Sequence, residues 1–247
     1  MPPAREQRGN NAASDMDTSV YQVKYAQDYE AVGNDWVNNT KYTRLCGNNN
    51  GKKIPQLTNA DSSIVYAVTL AEKAEFITKD SNTYLYWTGT TNKNRYIDTL
   101  ESLGTSITTG TSYAVSFDVM LENVSYLLLL DTAAEGTTKT IGTLGDEQSK
   151  DALLYIALSG ETATLWSSEA ATENTFAVAK SAWYRFTISG KAGEENMTVK
   201  VIKIEDGSTV LDTTSYKTTS TTGIPWIIQA EGTTATMALD NIVVYSN

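Results

Sequence analysis

A chain of 247 residues falls between one domain and two, and an all-β unit of this size commonly folds as one. Twenty-nine acidic residues against nineteen basic ones leave a net charge of −10, which repels phosphate backbones and anionic bilayers and sets nucleic acid aside as a partner. With no histidine and one cysteine, Cys46, the sequence excludes Ser-His-Asp and Cys-His catalysis, imidazole acid–base chemistry, histidine zinc sites and an internal disulfide, so a packed core must supply its stability.

Residues 1–18 are polar, lack periodicity and hold two of the four prolines. This composition predicts an unstructured linker or an expression-derived remnant, with no apolar core of a signal peptide, and is compatible with earlier removal of a leader. No stretch approaches the roughly 20 apolar residues that cross a bilayer, so membrane insertion is not expected. Residues 19–247 read as one domain in which threonine, tyrosine and valine alternate between clusters of Gly, Asn, Asp and Ser, the pattern of short strands and turns. Between Val65 and Thr78 two readings stay open: YAVTLAEKAEF fits helical spacing, whereas IVYAVTL alternates as a strand.

Further along, SYAVSFDVML and VSYLLLL flank Glu122-Asn123. A tight turn there predicts a hairpin with Leu121 opposite Val124, Val119 opposite Tyr126 and Phe117 opposite Leu128. In LLYIALSGETATLW, a turn at Gly160-Glu161 pairs Leu158 with Ala163 and Ile156 with Leu165, and sets Tyr155 across from Trp166 on the other face. In WYRFTIS, Tyr184, Phe186 and Ile188 form the apolar phase. Asp206-Gly207 marks a hairpin turn between MTVKVIKIED and STVLDTT. The last strand, ATMALDNIVVY, changes parity at Asp240-Asn241, which a bulge explains. Regular strands with little helix predict an all-β, two-sheet antiparallel sandwich of jelly-roll type, with Phe117, Val119, Leu128, Ile156, Phe186 and Ile188 buried.

In order, YQVKYAQDYEAVGNDW, NTYLYWTGTTNKNRY, YAVSFDVML, AWYRFTIS, VKVIKIEDGSTV and ALDNIVVY resemble the carbohydrate-binding jelly-roll modules, of concanavalin A-like or galactose-binding-like type, found on bacterial polysaccharide-utilisation proteins. The stretch 37–81 departs from the compact pattern and looks like an insertion. The resemblance implies a non-catalytic module that binds polysaccharide, with starch-type α-glucan or plant cell-wall glycan as candidates. It also implies a larger multidomain protein that is secreted or held at the cell surface. Such modules often carry a structural calcium between an early carboxylate, here Asp28 or Glu30, and the aspartate of the closing motif, Asp240; calcium takes six to eight oxygens, and two carboxylates with backbone carbonyls suit it. The other reading of Asp240 is a capping carboxylate at the bulge.

A sugar ring offers a flat C–H face to an aromatic plane and hydroxyls to polar neighbours. Tyr155 and Trp166 meet this requirement by alternation, since Leu154, Ile156, Leu158 and Leu165 already fill the apolar phase; ordinary packing beneath a loop is the alternative. Trp87 lies close to Asn92, Arg95 and Tyr96, which offer hydrogen-bonding groups, but shares parity with Leu85 and so is expected in the core. Trp226 shares parity with Ile224 and Ile228, while Gln229 points the other way. Trp183 and Trp36 are expected to be structural. Acids alternating on one strand, as sandwich glucanases carry them, are absent, and Asp118 and Glu122 lack the spacing. Hence no catalytic residue is assigned; a sandwich-fold hydrolase or lyase and an adhesive surface domain are the alternatives. Sequons occur at Asn38, Asn123 and Asn196.

Overall fold

The computed structural model describes residues 22–27, 53–58, 64–69, 73–88, 95–98, 109–124, 126–131, 152–166, 174–216, 225–231 and 236–247. These form two antiparallel sheets packed as a sandwich. The first sheet runs from β14 (Thr209–Tyr216) through β13 (Asn196–Lys203), β12 (Trp183–Lys191), β7 (Ser112–Glu122), β16 (Thr236–Ser246) and β5 (Asn82–Thr88) to β4 (Lys73–Lys79), with β1 (Gln22–Gln27) also on β16. The second runs from β11 (Asn174–Ala177) through β10 (Thr162–Trp166), β9 (Ala152–Ser159), β8 (Tyr126–Asp131), β15 (Pro225–Glu231), β6 (Arg95–Asp98) and β3 (Ile64–Thr69) to β2 (Lys53–Thr58).

The open edges follow from composition. Outermost β4 begins and ends with lysine, whose charge discourages pairing with another chain. Outermost β2 carries Pro55, which has no N–H to give a ladder, and its register slips between Lys53 and Gln56. Residues 64–69 and 73–79 are both strands, so the β-alternation at 65–78 prevails over the helical spacing.

The core lies between the sheets. Phe117, Val119, Tyr184, Phe186, Ile188, Val199 and Val201 are almost fully buried on the first sheet, and Leu127, Leu154, Ile156, Ala163 and Leu165 on the second. The Phe117 and Phe186 rings stack at 5.4 Å, while Phe176 of β11 meets Phe186 edge-on at 6.3 Å, joining the sheets. Truncating an aromatic ring at such a site costs about 3–5 kcal/mol through lost burial and the cavity left behind.

One expectation is overturned. The hairpin across Glu122-Asn123 does not form: β7 pairs with β12 and β16 in the first sheet, whereas β8 pairs with β9 and β15 in the second. Both edges of β7 are taken, so the chain crosses to the other sheet, with Asn123 at φ 54° and Val124 buried. The burial expected of Leu128 falls on a side chain outside the described ones. Leu127 is the residue at zero exposure, and Leu128 pairs with Tyr155 in the alternate register. The remaining registers agree with the sequence. Leu158 pairs with Ala163, Ile156 with Leu165 and Tyr155 with Trp166. Gly207 takes φ 71° in the β13–β14 turn, where a residue without Cβ is least strained. The register of β16 shifts between Asp240 and Val243, with Asn241 at φ 48°.

Candidate functional site

On the second sheet, backbone register gathers residues from five strands into one line. Trp166 pairs with Tyr155, Tyr155 with Leu128, Leu128 with Gln229 and Gln229 with Tyr96. Four strand spacings of about 4.8 Å make this row about 19 Å long. It alternates with the buried row Leu165, Ile156 and Leu127 and therefore belongs to the outward face of the sheet. The adjacent outward row is accessible, because Thr175 is exposed and Thr164 and Ala157 are half-buried.

Other sequence candidates fall elsewhere. Trp87 pairs with Met237 on the first sheet, next to fully buried Leu85 and Leu239, in the core register expected of it and away from the row. Arg95 pairs with Ala230, in line with Leu127, so it does not share the phase of Tyr96. Trp226 sits at the register shift between Pro225 and Ile227. Asn92, Asp28 and Glu30 lie outside the described residues.

The outward face of the first sheet carries a second constellation. One register row links Trp183, Met120, Ala238 and Tyr86 across β12, β7, β16 and β5. Although three strand spacings separate β12 from β5, the rings of Trp183 and Tyr84 meet edge-to-face at 5.3 Å. They therefore lean together above the strands between them, where Ala238 has zero exposure. Trp183, Tyr84, Tyr86 and Met120 remain half-buried. Burial, and secondarily the neighbouring Tyr86, raise the Tyr84 phenol above its ordinary pKa of 10.0.

Beside these rings lies a buried polar chain. Arg185 Nε and Nη2 donate to the two oxygens of Asp118 at 2.7 and 2.8 Å. Asn241 Nδ2 donates to Asp118 Oδ2 at 2.8 Å, and its backbone N–H donates to Asp240 Oδ1 at 2.8 Å. Asn82 Nδ2 donates to Asp240 Oδ2 at 3.0 Å. The bulge thus has a purpose: its left-handed turn lets one asparagine serve both carboxylates. β16 pairs with β5 up to Leu239 and with β1 from Ile242 onward, and Asn82 closes the interval.

This arrangement bears on calcium. Both oxygens of Asp240 accept N–H groups, and its register partner Asp118 is held by a guanidinium. The donors from Asn82 and Asn241 are nitrogens, where calcium takes oxygens, and among the described residues no cluster of three metal-binding side chains occurs. Asp240 caps the bulge by accepting the Asn241 backbone N–H, and its expected calcium partners Asp28 and Glu30 lie outside the described residues.

Sequence reasoning missed Tyr84, Tyr86, Arg185 and Asn82, and it assigned Trp183 to structure. The signal was present: in NTYLYW and WYRFTI these aromatics and Arg185 occupy the phase opposite Leu85, Tyr184 and Phe186. What the sequence does not contain is the pairing of β5 and β12 through two intervening strands.

No protein-family model and no curated protein sequence matches the chain. Among solved structures, peanut lectin with a nine-residue peptide superposes with a TM-score of 0.51 at 9% identity, over 77% of this chain and 94% of its own. A protein of unknown function from Shewanella oneidensis MR-1 superposes with a TM-score of 0.50 at 14% identity, over 100% and 96% of the two chains. A sialidase aligns at a TM-score of 0.47 and 11% identity over 73% of this chain, which spans 17% of the sialidase's length. The likeness at these identities is one of fold, and the fold is a lectin-type jelly-roll β-sandwich.

Proposed function

We propose that this chain is a non-catalytic module that binds polysaccharide through the outward face of its second sheet and brings a larger secreted or cell-surface protein to plant glycan, starch-type α-glucan being one candidate. The observation that carries the reading is the row Trp166, Tyr155, Leu128, Gln229 and Tyr96. Aromatic positions lie at one end and a third aromatic at the other, with an amide between them. This order suits successive sugar rings along an extended chain, and the accessible neighbours Thr164 and Thr175 leave the face open to a long ligand.

Against the hydrolase alternative stands the environment of the paired carboxylates. Asp118 and Asp240 are register partners at 1% and 2% exposure, and their oxygens are occupied by Arg185, Asn241 and Asn82. Glycoside hydrolysis needs one carboxylic acid and one carboxylate in reach of the glycosidic oxygen, and this buried, hydrogen-bonded pair does not supply them. The test is affinity electrophoresis in gels containing starch, xylan, mannan, pectin or β-glucan, with reducing-sugar release measured on the same polysaccharides. Retardation by at least one without sugar release is expected; release of sugar would make the chain an enzyme, and free migration in every gel would remove the glycan reading.

A further inference from the structure

The outward face of the first sheet has no part in the row just described, yet it presents aromatic surface of the same kind. Trp183, Tyr84 and Tyr86 are half-buried, and the edge-to-face meeting of Trp183 with Tyr84 forms a notch with two aromatic walls, beside half-buried Met120. The notch is rigidly founded. Glu205 Oε1 accepts the Trp183 backbone N–H at 3.0 Å, and the Trp183 carbonyl accepts the N–H of Ile204 at 2.9 Å. Beside Trp183 along β12, Arg185 is clamped to Asp118 by both oxygens.

We infer that this notch is a second glycan site, on the opposite side of the sandwich from the Trp166 row, and that the module therefore joins two polysaccharide strands. Charge selects the ligand class. Glu205 is exposed beside Trp183, and Glu122 follows Met120 on the same strand face, so carboxylates flank the notch, while the nearby guanidinium of Arg185 is engaged by Asp118. Such a rim accepts hydroxyl protons and repels acidic polymers, and the net charge of −10 acts in the same direction. The ligand is a neutral polysaccharide, held by ring stacking and hydroxyl-to-carboxylate hydrogen bonds. Opposite outward faces of a sandwich point in opposite directions, so one strand on each gives cross-linking.

The inference rests on the glycan reading for its ligand class, and the test separates the two. Parent, Trp166→Ala, Trp183→Ala, Trp183→Phe and the double variant W166A/W183A are run in gels of soluble starch, β-glucan and mannan, with pectin as the acidic control. Light scattering of protein mixed with the same polymers reports cross-linking, and a thermal melt reports folding. On a neutral polymer that retards the parent, each alanine variant is expected to bind about tenfold more weakly and to lose the scattering increase. W183F should keep both, the double variant should migrate freely, and pectin should retard none. If W183A retards and scatters as the parent does, the second site is wrong and the first stands. If W166A behaves as the parent while W183A binds nothing, the Trp166 row is wrong and the two-strand module falls with it. Should W183A melt with the parent's midpoint lost, Tyr86→Ala replaces it under the same criteria.

Discussion

Arg185 and Asp118 show how a charge pair survives at a few per cent exposure: two parallel hydrogen bonds join them, and the leftover acceptor capacity of the carboxylate is taken by Asn241. Removing one partner leaves the other charge buried and uncompensated, so Asp118→Ala should lower unfolding free energy by about 3–5 kcal/mol in urea titration, and Asp118→Asn by less. High salt should leave this difference unchanged, because a buried pair is poorly screened. At Tyr84 the sign runs the other way with pH. Its folded-state pKa lies above the 10.0 of an exposed phenol, so above pH 10 the unfolded chain releases a proton that the folded protein retains. Stability therefore falls as pH rises from 10 towards the folded pKa, and Tyr84→Phe should flatten that part of the curve.

Among the elements, turns separate conformational cost from steric cost. Gly207 at φ 71° has open space where a Cβ would stand, so Gly207→Ala should cost about 1 kcal/mol. Gly193 at φ 90° would place a Cβ 2.7 Å from Thr109 Cγ2, and Gly193→Ala should cost distinctly more in the same denaturation series. At the β16 bulge, Asn241→Gly keeps the left-handed backbone and loses only the amide donor to Asp118, whereas Asn241→Ala loses both. The alanine variant should be the less stable by about 1 kcal/mol. These local features were legible beforehand: Asp206-Gly207 announced its hairpin, and the parity change at Asp240-Asn241 announced the bulge. The false hairpin at Glu122-Asn123 shows where legibility ends. Its two strands have matching apolar phases, but β7 finds its partners in β12 and β16, far along the chain, and no local pattern records that choice. The same limit hid the Trp183–Tyr84 notch, while Tyr155 and Trp166, joined by a two-residue turn, were readable at once.

At the scale of the whole molecule, two outward faces carry aromatics and one shared core holds them apart. If the Asn82 and Asn241 donors to Asp240 suffice to hold the bulge, chelation should leave the thermal midpoint unchanged; a fall would show that residues beyond those described supply oxygen ligands. The central claim concerns the second sheet, and isothermal titration of Trp166→Ala and its parent with the polysaccharide that retards the parent most tests it directly. Shielding about 60 Å² of Trp166 by a sugar ring at about 25 cal/mol/Å² contributes about 1.5 kcal/mol, which corresponds to a loss of about tenfold in affinity. The midpoint of thermal unfolding should stay at the parental value, because Trp166 lies in the phase opposite buried Leu165. Parental affinity in a folded Trp166→Ala protein would contradict the account.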